Sequence, residues 1–417
     1  MRDVPATSRG GRQTIYLSGA GGMGNIGAEA IFLALIRLYQ RYWPDARFIV
    51  SAWRPKRVKA LLAGLPGDFQ VVTQGVSLDR PRELRAADVF VVCGDVALTE
   101  TVVPILPAYL ATKALWARVF GARIICLGIE VEPIRRALNR WMIRRILNRI
   151  VRYYVVRNEA SHKTLAHLST EPATLLLGCE PALMIADDDL RRFPAPSLEA
   201  RDAELFVGFS VRDYFAEPLR VDFWRMRLCR RDARPGTLSP AMEQTVRFLA
   251  HEADRLIERY GARVVFIPHH CLTGAEQVIL TDREIAQRIV QCMRRPESTT
   301  IVSEELHPFA VMNIYRAMDL VVSMRHHATS FAYRFGVPTV GCAISEKIIR
   351  HFRQIKQEAL LVDPLDPDFS KTDRVVDYVL QNRHALSADL KNHLRASQLA
   401  MRMAMDVVMG RAEPEGC

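Results

Sequence analysis

Leu320-Val-Val-Ser-Met-Arg-His-His-Ala-Thr-Ser-Phe-Ala-Tyr-Arg-Phe-Gly-Val-Pro338 decides how this chain is read. An apolar, β-branched run stops at Arg325-His326-His327, a helical pattern follows at once, and Gly336-Val-Pro338 leads into another apolar run. Strand, helix and strand in so short a span is the repeating unit of a parallel sheet. Ligands of open α/β sheets bind beyond the carboxyl ends of the strands. Arg325 and the two histidines stand at such an end, beside a helix N-terminus. Arginine suits bidentate capture of carboxylate or phosphate, and histidine can donate a proton near neutral pH. A pair that merely caps the helix would occupy the same place.

The same alternation extends outward in both directions. Apolar runs recur at 14–18, 47–51, 70–73, 88–93, 123–127, 153–157 and 174–177, with helical patterns such as 28–42 and 102–120 between them. After Asp187-Asp-Asp189 and Phe193-Pro-Ala-Pro196 it restarts at 205–211, 263–268, 300–303, 320–324, 338–342 and 359–362. Continuous apolar strands between helices indicate sheets covered on both faces. The expected architecture is therefore α/β, with two doubly wound, Rossmann-like parallel-sheet domains. The domains are expected at 1–186 and 205–385, joined by an acidic, proline-rich linker at 187–204. A final helix within 386–417 is expected to pack back across the junction, and a cleft between the two domains would hold the site.

The 417 residues carry 57 Lys+Arg against 46 Asp+Glu, a net charge of +11. Half the chain is apolar and a quarter charged, which fits a globular protein and excludes disordered, collagen-like and coiled-coil readings. No apolar run reaches the ~18 residues of a membrane span. The polar start lacks a signal-peptide core, so a cytoplasmic location is expected. The eight cysteines include no C-x-x-C pair, which argues against a zinc cluster or disulfide framework.

Gly19-Ala-Gly-Gly-Met-Gly-Asn-Ile-Gly27 follows the first strand and opens a helix, where glycines let a ligand approach free N–H groups. A tight turn without a ligand would need the same glycines. The spacing is not that of a dinucleotide fingerprint, and no G-K-[ST] follows. Other charged groups fall at equivalent strand ends: Arg157, Arg212, and His269-His270. Three arginines and a histidine pair at one topological position suggest a polyanion site. Carboxylates at ligand spacing are missing, so no metal is expected. The basic clusters Arg135–Arg152 and Arg220–Arg234 lack the aromatic interleaving of single-strand binders, and nucleic acid is not an expected partner.

These residues resemble the polysaccharide pyruvyl transferase family in order along nearly the whole chain. The resemblance runs from Gly24-Asn-Ile-Gly27 and Glu29-Ala-Ile31 through 155–161, Gly208-Phe-Ser-Val-Arg212 and Phe266-Ile-Pro-His269. It ends with Met324-Arg-His-His-Ala328, Gly336-Val-Pro338 and Glu346-Lys347. It implies a GT-B-type glycosyltransferase-like architecture and transfer of the pyruvyl unit of phosphoenolpyruvate to two hydroxyls of a sugar, leaving a ketal and phosphate. By this resemblance Arg325 and Arg212 hold phosphoenolpyruvate, His327 is the essential histidine and Arg157 is needed for activity. His269, His326, Asn25, Gly24 and Lys347 are further substrate contacts. Phosphoenolpyruvate is a co-substrate, and no cofactor is implied.

Three departures fall in the N-terminal half. Ala28 stands where an acidic residue is usual, Cys93-Gly-Asp95 keeps one glycine of the usual turn, and Glu130 and Glu132 interrupt the stretch ending at Pro133. They bear on the acceptor, a sugar or lipid-linked glycan, more than on the donor. A GT-B glycosyltransferase using a nucleotide sugar is the other enzymatic reading, with Glu346 as its ribose carboxylate. A non-catalytic member would have no use for Arg157, Arg212, Arg325 and His327 together. The segment Arg135–Arg152, read as one basic amphipathic helix, can rest on an anionic membrane surface or simply cover the sheet.

Overall fold

The computed structural model describes residues 12–19, 21–22, 24–73, 81–93, 96–100, 104, 106–168, 174–198, 205–215, 220–222, 227–229, 237–270, 280–302 and 305–413. It divides into two compact units. One comprises Met1–Met23, Ala28–Ile185 and Ala396–Cys417; the other comprises Gly24–Gly27 and Ala186–Arg395.

In the first unit the strands are β1 (Thr14–Ser18), β2 (Arg47–Ala52), β3 (Asp68–Thr73), β4 (Val89–Cys93), β5 (Val96–Leu98), β6 (Arg123–Val131), β7 (Val151–Val156) and β8 (Thr174–Leu177). They form one parallel sheet in the order β3-β2-β1-β4-β6-β7-β8, with β5 alongside β6. Runs such as Val89-Phe-Val-Val-Cys93 are buried throughout because helices cover both faces. Burial pushes the Cys93 thiol up to about 12, which leaves it a packed hydrophobe rather than a nucleophile.

The second unit repeats the plan. Strands β9 (Phe206–Ser210), β12 (Arg263–Phe266), β13 (Thr299–Ile301), β14 (Leu320–Ser323), β15 (Thr339–Cys342) and β16 (Leu361–Val362) pair in the order β13-β12-β9-β14-β15-β16. Every pairing is parallel. The strand order reverses at β9 and β14, the topological switch point of a doubly wound sheet. A short antiparallel hairpin, β10 (Arg220–Asp222) with β11 (Arg227–Cys229), stands apart from it. Of the second basic cluster, Arg220 and Arg227 lie in this hairpin, and Arg225, Arg230, Arg231 and Arg234 lie outside the described residues.

Two sequence expectations change. The segment Arg135–Arg152 is not one helix. Helix Ala137–Met142 runs into a π-turn at Ile143–Leu147 and one further helical turn at Asn148–Ile150. Arg135 and Arg136 precede it, their N–H groups held at 2.9 Å by Glu100. Arg152 already belongs to β7, because the β-branched Val151–Val156 run pairs with β6. The stretch from Ala186 to Leu198 is also more than a linker. It opens with helix Asp187–Arg191, Asn313 donates to the carbonyls of Leu190 and Phe193, and Phe193 stacks on His307. The chain's last long helix, Arg383–Val408, starts earlier than the pattern indicated; from Ala396 onward its residues belong to the first unit. No described helix is long and apolar enough to cross a membrane.

Candidate active site

Helix His326–Phe335 begins directly after β14 and stops at Gly336, whose φ of +71° is a left-handed turn that glycine adopts without strain. Arg325 is its N-cap residue in extended backbone, but its side chain does not cap the helix. The Ser323 hydroxyl fixes the backbone of Arg325, accepting from its N–H at 3.0 Å and donating to its carbonyl at 2.9 Å. The Arg325 guanidinium turns back across the switch point instead. Its Nε donates to the Val211 carbonyl at 3.2 Å, beside Arg212 at the end of β9. Its Nη2 pairs with Asp282, and both side chains are buried. Arg212 itself is half-buried, with its guanidinium over the Tyr214 ring at 5.0 Å.

Asp282 was not visible as a site residue in the sequence. Thr281-Asp-Arg-Glu284 has capping-box spacing, and the structure forms that box at the start of helix Asp282–Cys292. The other Asp282 oxygen accepts the main-chain N–H groups of His269 at 2.9 Å and His270 at 3.0 Å. One carboxylate thus joins the end of β12 to the arginine at the end of β14.

His269 is wholly buried, its Nε2 2.7 Å from the Tyr315 hydroxyl and its ring stacked near Phe331. Burial first, then the charges of Arg325 and His327, hold its pKa well below the ordinary range. The ring is therefore neutral near pH 7. The His326 ring lies 5.6 Å from that of His327 and 5.3 Å from that of His351. Lys347 sits in the first turn of helix Glu346–Gln354, beyond the end of β15.

The glycine-rich stretch follows β1 and opens helix Ile26–Tyr42 as expected, and its last four residues supply a further piece. Gly24–Gly27 clusters with the second unit. Ile26 donates its N–H to the His269 carbonyl at 2.9 Å, and Asn25 bridges to His270. Asn25 Oδ1 accepts from the Gly27 N–H at 3.1 Å. A Cβ on Gly27 would fall 2.1 Å from the His327 ring, so only glycine lets this histidine lie against the helix start. His327 is 6% exposed there. Arg212, Arg325, His326, His327, His269, Lys347, Gly24 and Asn25 therefore all belong to one unit, most at the carboxyl edge of its sheet.

Arg157 belongs to the other unit, after β7. It is 2% exposed and its guanidinium is paired twice, to Glu180 at 2.7 Å and to Glu130. Glu130, one of the departures, is thus an ion-pair partner of Arg157. Glu29 is buried and held by Arg57 in a bidentate pair at 2.6 and 2.7 Å. Asp95 lies outside the described residues.

Two doubly wound parallel-sheet units, with the charged residues of the second gathered at its switch point, define a GT-B-like α/β protein. Solved structures similar to it include the UDP-GlcNAc 2-epimerase of Methanocaldococcus jannaschii, with TM-score 0.60 and 13% identity over 95% of this chain and 99% of that one. Anabaena HepE in complex with UDP-glucose gives 0.57 and 13% over 95% and 99%. A glycosyltransferase from Rickettsia africae gives 0.54 and 10% over 97% and 100%. Identities this low establish the fold alone. The model of the polysaccharide pyruvyl transferase family matches residues 25–346, and the chain belongs to that family. No curated protein matches it.

Proposed function

We propose that this protein transfers the pyruvyl unit of phosphoenolpyruvate to a sugar of a polysaccharide or glycan precursor, forming a cyclic ketal and releasing phosphate. The observation that carries this reading is the pair Arg212 and Arg325 at the ends of β9 and β14, where Arg325 bonds to the carbonyl of Val211, the residue before Arg212, with His327 two residues further on. Two guanidinium groups there suit a small molecule bearing both a carboxylate and a phosphate. His327 protonates the methylene carbon and leaves an oxocarbenium centre at the adjacent carbon, which one sugar hydroxyl attacks. Phosphate then leaves with its bond electrons, its charge met by the arginines, and the second hydroxyl closes the ring. The hydroxyl protons restore His327 and neutralise the released phosphate. His269, neutral and shielded, takes a positioning role in place of the sugar contact expected from its strand end. Arg157, whose guanidinium is fixed by Glu130 and Glu180, keeps the part in activity that the family resemblance gives it.

The arginines do the work that Mg²⁺ does at many phosphate sites, so the proposed reaction needs no metal. The test is incubation with phosphoenolpyruvate and a panel of lipid-linked and nucleotide-linked sugars, following phosphate release and product mass. The expected product gains one pyruvate less one water, at a rate that a chelator leaves unchanged. Turnover of a nucleotide sugar with no use of phosphoenolpyruvate would establish the glycosyltransferase reading instead. A cytoplasmic location, with attachment to an anionic membrane surface through 135–152, belongs to the same proposal.

A further inference from the structure

The face of the first unit built by helix Leu106–Val119 and the segment 137–150, which pack side by side, carries an unusual combination. Val119 is 65% exposed, Leu138 57% and Trp141 54%, with Leu115 and Trp116 also open to solvent. Leu138, Trp141, Arg145 and Arg149 recur at spacings of three and four and are all exposed, while Ile143 and Leu147 anchor the opposite side in the core. Neither helical stretch contains an aspartate or glutamate. The neighbouring carboxylate, Glu100, is occupied by the N–H groups of Arg135 and Arg136 and by Asn139. Exposed arginines and exposed tryptophan and aliphatic side chains therefore share a face whose two helical stretches carry no carboxylate of their own.

We infer that this two-helix face is a docking surface for a bilayer containing anionic phospholipid. It deepens the membrane attachment proposed above and rests on that part of the reading, but not on the transferase chemistry. The charge selects the occupant, because acidic headgroups complement the exposed arginines of two helical stretches that contain no aspartate or glutamate. The apolar residues add what a purely electrostatic contact lacks. Tryptophan is favoured at the headgroup boundary, and Leu138 and Val119 can enter the acyl region beside it. Attachment is then of mixed character, with one part screened by salt and one part not.

Flotation with vesicles of phosphatidylcholine alone, and of phosphatidylcholine with phosphatidylglycerol, tests this. The intact protein is expected to float with the anionic vesicles, with a blue shift of tryptophan emission, and to bind neutral vesicles weakly. Arg144→Glu with Arg145→Glu, and separately Trp116→Ser with Trp141→Ser, are each expected to weaken binding about tenfold or more. Arg144→Lys with Arg145→Lys should retain it. Absence of binding to anionic vesicles overturns the inference, as does binding that both double variants leave intact. Capture of an acidic protein without any vesicle binding would assign the face to a protein partner and overturn it as well. Phosphate release with a soluble acceptor is followed in parallel. Loss of that activity with vesicle binding intact sinks the transferase reading alone; the reverse pattern sinks the membrane reading alone.

Discussion

Arg325 is buried with a single carboxylate partner among the described residues, Asp282, which makes its environment testable one atom at a time. Asp282→Asn removes the counter-charge while keeping the shape. Breaking a buried pair from one side typically costs about 3–5 kcal/mol. If the guanidinium faces an anion site, inorganic phosphate restores part of the lost thermal midpoint and shifts the variant more than the wild type. Equal shifts in both proteins would separate Arg325 from anion binding. Arg325→Lys keeps charge but loses the fork, and kcat/KM for phosphoenolpyruvate should fall about 10- to 100-fold. His327→Ala should lower kcat about 10²- to 10⁴-fold with an unaltered unfolding midpoint; wild-type turnover in that variant would end its role as the acid. The strand-end arginines and histidines were legible because charge stands out after an apolar run. Asp282 and Tyr315 were not, since each is a remote residue brought in by folding, and the sequence shows only that Asp282 opens a helix. The importance of Gly27 was hidden for the same reason: its constraint is the ring of His327, three hundred positions away.

At the scale of elements, strands were read well where β-branched runs are bounded by turn residues, as at Thr14–Ser18 and Thr174–Leu177. The three-residue β5 and the β10–β11 hairpin were missed because so short a run carries no periodic signal. Charge spacing misled the reading of 135–152, where tertiary pairing of β7 outweighed local helical pattern. Helix Pro240–Tyr260 shows a further effect that no pattern reveals. Its Glu252 is buried, and although Arg255 partly offsets the effect, burial pushes its pKa up to about 7. An acid with a raised folded pKa stabilises the protein below its unfolded value, 4.5, and that contribution is lost as pH rises through about 7. Glu252→Gln should therefore be more stable than the wild type above pH 7, by up to about 3 kcal/mol. The two should converge near pH 4.5. A constant difference between their unfolding midpoints across that window would contradict the ionisation argument and point to packing instead.

Across the whole molecule, the chain returns to its first unit at the end. Beyond Arg395 the helix Arg383–Val408 lays Met401 against the position of Gly178, where an added Cβ would come 3.2 Å from the methionine. Gln398 donates to the Leu183 carbonyl at 2.7 Å, Asp406 accepts from the Tyr42 hydroxyl at 3.0 Å, and Arg411 lies over the Tyr42 ring. Met401 and Met405 are fully buried, and burial of each such side chain contributes about 1.5–3 kcal/mol. A chain ending at Arg395 should lose these contacts together, at a cost comparable with the whole stability of a typical domain, about 5–15 kcal/mol. The effect has a selective reporter. Trp43, Trp53, Trp116 and Trp141, four of the five tryptophans, belong to the first unit. Tryptophan emission should therefore show a collapsed unfolding midpoint in the shortened chain. Far-ultraviolet ellipticity should retain the share contributed by the second sheet and its helices, whose central strands and Asp282–Arg325 pair involve no residue beyond 395. An unchanged tryptophan transition would mean that the closing segment merely lies on the first unit, and that the core beneath it is complete without Met401 and Met405.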